Sequence, residues 1–117
     1  MGYDVHITRA QHWLDANENP ITLTQWLDYA KSDTEFRIDT EAVAYDRKKR
    51  PLLAYASEGL AVWTAYSKHQ AGGDMAWFDW RAGRITVKNP DDEILAKMKR
   101  VAAGLGASVV GDDGEHY

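Results

Sequence analysis

The sequence predicts an α+β domain: a mostly antiparallel sheet of about five to seven strands with two helices on one face, in the order β-α-(several β)-α-β. Three observations predict it. Short runs of alternating apolar and polar residues recur along the chain, and two stretches carry apolar residues at helical spacing. The length, 117 residues with no Gly/Ser/Pro-rich linker or internal repeat, fits a single unit spanning 1–117.

Tyr3 to Thr8 alternates and reads as a strand with Tyr3, Val5 and Ile7 inward and Asp4, His6 and Thr8 on the other face. A polar stretch follows, ending at Asn19-Pro20. Thr22 and Gln25 then have capping-box spacing, and Leu23, Trp26, Leu27 and Ala30 form one apolar face, so a helix is expected over about 22–32. Phe36–Asp39 and Ala42–Tyr45 are strand-like, and Asp46–Pro51 reads as a charged turn. Leu52–Ala56 and Leu60–Tyr66 read as strands separated by Glu58-Gly59, before a loop over Lys68–Gly73.

Asp74–Trp80 and Arg84–Lys88 form an expected hairpin, with Arg81-Ala82-Gly83 as a three-residue link and Gly83 at the positive-φ position. The second helix has Asn89 as N-cap, Pro90 first, and the acids Asp91, Asp92 and Glu93 at its positive end. Its stripe is Ile94, Leu95, Met98, Val101, Ala102 and Leu105, with Gly104 and Gly106 as stop signals. Ala107–Val110 closes the fold as a strand before an acidic end, Gly111–Tyr117.

The three-residue link fixes a register. It sets Asp79 opposite Ile85 and Trp77 opposite Val87, which makes Met75, Trp77, Ile85 and Val87 the core side. Phe78 and Trp80 then fall on the far face with Arg84, Thr86 and Lys88. Ala61, Trp63 and Ala65 alternate with Leu60, Val62 and Tyr66, so neither face of that strand is polar. Two short helices cover one face only. The other needs a cover: the 9–20 segment with Trp13, a second copy, or another protein.

Five tryptophans, six tyrosines and two phenylalanines are a heavy aromatic load for this length. Net charge is −4, which disfavours nucleic acid or an anionic membrane as the main partner. The absence of cysteine excludes disulfides, thiolate zinc sites and cysteine nucleophiles. The start of the chain lacks the basic and apolar regions of a signal peptide, and no apolar run is long enough to span a bilayer, so a cytoplasmic location is expected. His6, His12, His69 and His116 show no ligand spacing, and Asp112-Asp113-Gly114-Glu115 lacks the alternation of a calcium loop. Arg47-Lys48-Lys49-Arg50 is too small a basic cluster for a nucleic-acid surface. Phosphate-binding and serine-hydrolase motifs are missing, so no catalytic residue, metal or cofactor is expected.

Tyr3–Ala10, Trp13, Asn19-Pro20-Ile21, Gly59–Thr64, Trp77-Phe78-Asp79, Val87–Asp91 and Gly111–Glu115 together resemble a group of small uncharacterised bacterial cytosolic proteins. The resemblance covers nearly the whole chain and implies no activity. In size, acidity and lack of cysteine the chain also resembles immunity proteins of bacterial polymorphic-toxin systems. That likeness implies a non-enzymatic module that neutralises a cognate toxin by direct binding. The partner-binding candidates are Trp63, Phe78 and Trp80 as aromatic anchors, Asp74, Asp79, Asp112, Asp113 and Glu115 as acids, and Arg84 beside them. Two alternatives are a housekeeping homodimer with a self-complementary sheet face, and a small-molecule-binding protein or enzyme built on Arg9, His12 and His6.

Overall fold

A computed structural model describes residues 3–39, 41–45, 51–56, 58–69 and 75–117, with 41–45 and 51–56 described by their pairing alone. Asp74, the Arg47–Arg50 cluster and most of the Lys68–Gly73 loop lie outside the described residues. The strands are β1 (Asp4–Thr8), β2 (Phe36–Ile38), β3 (Glu41–Tyr45), β4 (Pro51–Ala56), β5 (Gly59–Trp63), β6 (Ala76–Arg81), β7 (Arg84–Lys88) and β8 (Ser108–Gly111). Helix α1 is Leu23–Ser32, α2 is Asp92–Leu105, and a 3-10 helix spans Trp13–Glu18 in the expected polar stretch. The architecture is the α+β one predicted: a six-stranded antiparallel sheet, ordered β2-β5-β6-β7-β1-β8, with both helices on one face. The β3–β4 pair forms a separate two-stranded sheet, so β4 and β5 are not neighbours.

Local chemistry explains the helices. Thr22 accepts from the Gln25 amide while the Gln25 side chain accepts from the Thr22 amide, the reciprocal box read from the sequence. The N-cap of α2 is Asp91, whose carboxylate accepts from the Ile94 amide, and not Asn89. Asn89 instead turns the chain out of β7 in a left-handed conformation at φ 52°. Gly106, at φ 63°, ends α2 as expected. No helix among the described residues is long and apolar enough to cross a membrane.

The β6–β7 connection corrects the expected register. Arg81 pairs directly with Arg84, leaving a two-residue turn, Ala82-Gly83, with φ of 50° and 85°. Positive φ at both central residues is the type I′ geometry that matches strand twist. A one-residue change in register moves every side chain of a strand to the opposite face. Phe78 and Trp80 therefore lie on the helix side with Ile85 and Val87, while Trp77 and Asp79 share the helix-free side with Thr86. Trp63 also points to the helices. Phe78 is 0% exposed and Trp63 3%, so neither is a surface anchor. Trp80 is half-buried, its indole N–H donating to the Ile21 carbonyl at 2.7 Å.

The aromatic excess is thus largely interior. Trp26, Phe36 and Phe78 pack mutually at 4.9–6.4 Å between ring centroids, and the Trp26 N–H donates to the Gly59 carbonyl. At the edge of this cluster Lys97 is buried, its ammonium 2.7 Å from Asp33, 2.9 Å from Glu35 and 5.2 Å from the Phe36 ring centroid.

Candidate functional site

On the helix-free face, β1, β6 and β7 form the floor of an open cleft of about 470 Å³. That volume is in the range of small-ligand sites. Strand alternation places its polar floor: His6 on β1 lies opposite Thr86 on β7, which lies opposite Asp79 on β6. Trp13, Trp77, Met75 and Leu60 supply apolar surface. Arg81, Arg84 and Lys88 supply the positive charges, and Asp4, Asp79 and Asp112 the negative ones.

At the centre is a chain of three side chains. His6 is 2% exposed; its Nε2 is 2.8 Å from Asp112 Oδ1 and its Nδ1 2.9 Å from Thr86 Oγ1. Burial lowers the His6 pKa below its ordinary 6.5, outweighing the hydrogen bond and charge of Asp112, which act to raise it. The ring is therefore neutral at neutral pH. An ionised carboxylate only accepts, so the ring proton sits on Nε2 and Nδ1 accepts from the Thr86 hydroxyl. Burial acts to raise the Asp112 pKa, but the hydrogen bonds from His6 and the Asp4 amide prevail and hold it below the usual carboxylate range.

The 3-10 helix completes this wall. Trp13 stacks on His6 with ring centroids 4.4 Å apart, and its indole N–H donates to the Asp112 carbonyl. The guanidinium carbon of Arg84 lies 5.0 Å from the Trp13 ring centroid. Arg84 is half-buried, with a buried Nε that has no hydrogen-bond partner among the described residues. Burial first, then the charge of Arg81, lowers its affinity for the proton.

Three of the sequence-derived candidates, Asp79, Arg84 and Asp112, meet in this cleft. Phe78 and Trp80 do not, because the two-residue turn directs them to the helix side, where Trp63 also lies through its pairing with Phe36 and Ala76. Asp113 and Glu115 are exposed on the turn after β8, whose chain folds back to pair His116 with Val110. The proposed grouping of Arg9 and His12 with His6 is also corrected. Arg9 donates to the carbonyls of Leu105 and Pro20 and to Gln25, and it lines a different groove with Gln25, Asp28 and Tyr29. The His12 Nδ1 accepts from the Leu14 amide and caps the 3-10 helix. Trp13, Trp77 and Thr86 were not among the site candidates. Counting the hairpin with Ala82-Gly83 as a two-residue turn would have put Trp77 on Thr86's face.

Among the described residues, no group of three or more His, Asp or Glu side chains is placed to hold a metal ion. Comparison with protein-family models, curated proteins and solved structures gives no match to the chain.

Proposed function

We propose that this chain is a non-catalytic binding domain whose ligand seats in the cleft on the helix-free face. The observation that carries the reading is the cleft itself: a concave site of about 470 Å³ where apolar walls from Trp13 and Trp77 meet a few fixed polar groups. His6 ties the floor of the cleft together, one ring nitrogen bonded to Asp112 and the other to Thr86. The order Asp112–His6–Thr86 is also that of an orienter, base and nucleophile. Acyl transfer further needs backbone donors for a developing oxyanion. β7 is paired on both sides, by β1 and β6, which occupies its amides in the ladder.

A thermal-shift screen of small molecules against the wild type and Trp77→Ala tests the reading. Hits are expected to raise the melting temperature of the wild type and to lose that effect in the variant. Hits that stabilise both proteins equally contradict it. Hydrolysis of p-nitrophenyl acetate that disappears in Thr86→Val would overturn the non-catalytic part.

A second reading is favoured by the acids Asp113 and Glu115, exposed on the turn that carries Asp112 into the cleft. In it, the occupant is a protein, a basic toxin neutralised by direct binding in the bacterial cytoplasm, with these acids guiding association. Co-expression with the product of the neighbouring gene tests it. A complex weakened by Asp113→Asn/Glu115→Gln supports this reading, and a neighbour that is neither toxic nor bound contradicts it.

A further inference from the structure

We infer that the cleft takes an oxyanion, a carboxylate or a phosphate carried on a compact apolar body, and that Arg84 is the group that holds it. The inference rests on the binding-domain reading above and names the chemistry of the ligand. Three observations carry it.

The first is an unfavourable pair. Arg81 and Arg84 stand directly opposite each other across β6 and β7, on the helix-free face. Like charges in that position repel; Asp79 already stands beside Arg81, and an anion beside Arg84 would offset the other member of the pair. The second is that Arg84 forms no ion pair with a described residue, although its Nε is buried and lacks a hydrogen-bond partner. Arg84 nevertheless lines the cleft, and a bound carboxylate or phosphate supplies its guanidinium with the counter-charge that no described residue gives it.

The third is that the nearby carboxylates are already engaged. Asp79 Oδ2 is 3.0 Å from Arg81 Nε. Asp112 accepts from both His6 and the Asp4 amide. Asp4 itself pairs in register with Lys88, four residues from Arg84 and so about 13 Å away along β7. The Arg84 end is the cationic end. Thr86, which lines the cleft and gives its proton to His6, keeps its oxygen as an acceptor, suited to a protonated oxygen or hydroxyl of the ligand next to its anionic group. Trp13 flanks that end, and Trp77 lies toward the Lys88 end, so an apolar body extends along β7 between them.

The experiment is an NMR titration of the full chain at constant ionic strength, read on its tryptophan indole N–H signals. The probes are benzoate, phenyl phosphate, inorganic phosphate and the neutral benzyl alcohol. Trp13 and Trp77 report the cleft, while the interior Trp26 and Trp63 serve as internal controls and show that each variant is folded.

Saturable shifts of Trp13 and Trp77 are expected with an anionic aromatic, with a dissociation constant on the order of 1 mM. Arg84→Gln should weaken this at least about tenfold, and Arg84→Lys should retain part of it. Preference for benzoate over phenyl phosphate, or the reverse, assigns the ligand as a carboxylate or a phosphate. Benzyl alcohol binding as tightly as benzoate, with no effect of Arg84→Gln, overturns the oxyanion inference and leaves the cleft reading standing. Equal weakening of benzoate and benzyl alcohol by Arg84→Gln also overturns it, because the arginine then acts as wall and not as charge. If none of the anions moves Trp13 or Trp77 at concentrations about tenfold above that constant, the inference fails outright.

Discussion

His6 Nε2 and Asp112 Oδ1 stand 2.8 Å apart, joining the first strand to the turn that follows the last one across 106 residues of sequence. The contact lies in the cleft and gives the fold a pH dependence of definite sign. The charged groups facing the ring are Asp112, Asp4 and Arg84. Because the folded pKa of His6 lies below 6.5, the unfolded chain takes up its proton first as the pH falls. The stabilisation is complete above about 6.5 and is lost as the pH drops through the lower folded value. Asp112, depressed below 3.8, adds a further loss in stronger acid, as the pH falls through its own folded value. Urea unfolding at about pH 7 and about pH 5 should show the wild type losing stability at the lower pH, and His6→Gln losing less. Equal losses in the two proteins would remove His6 as the cause.

Lys97 is a buried cation held by Asp33 and the more exposed Glu35. Removing both acids strands the ammonium, so Asp33→Ala/Glu35→Ala should cost about 3 kcal/mol. Lys97→Met removes the charge from the interior, leaves Glu35 to solvent and leaves Asp33 with the Tyr29 hydroxyl and the Glu35 amide as donors, at a smaller cost of about 1–2 kcal/mol. The order of the two, read by denaturant unfolding, is the check.

The Ala82-Gly83 turn has a residue at φ 50° that lacks the tolerance of asparagine or glycine for that region. Ala82→Asn should stabilise by about 0.5–1 kcal/mol, since Asn-Gly is the preferred type I′ pair. Gly83→Ala should destabilise by about 1–3 kcal/mol, because its new Cβ would sit 2.7 Å from Pro20 Cβ at φ 85°. Thermal unfolding of the two variants should move in opposite directions.

The faces of β6 make a separate prediction. Phe78→Ala opens a hole in the aromatic cluster and should cost about 3–5 kcal/mol. Trp77→Ala, on the cleft side, should cost about 1 kcal/mol and act mainly on ligand binding. A larger loss at Trp77 than at Phe78 would mean the faces are exchanged.

What was legible in the sequence was what is decided locally. The Thr22–Gln25 box and the Ile94–Leu105 stripe depend on residues within a few turns, and both are found as read. The cap of α2 was two residues off because Asn89 and Asp91 are both good caps, and only the path out of β7 chooses between them. The hairpin failed on one residue. Gly83 suits a bulged three-residue link or the second position of a type I′ turn, and Ala82 gives no warning of positive φ. That single count exchanged Trp77 for Phe78 and Trp80. The charged members of the cleft, Asp79, Arg84 and Asp112, were visible as residue types. Their meeting with His6 and Trp13 was not, because it needs β1, β6, β7, the 3-10 helix and the last turn to be assembled first.

The central claim is that the cleft on the helix-free face is where this protein binds. Amide-resolved NMR with a mixture of small fragments tests it most directly, because it lets the molecule choose between this cleft and the groove beside Arg9. The expected result is a set of shifts centred on His6, Trp13, Trp77 and Arg84. Shifts centred instead on Arg9, Gln25 and Tyr29, the groove on the helix side, would contradict the account.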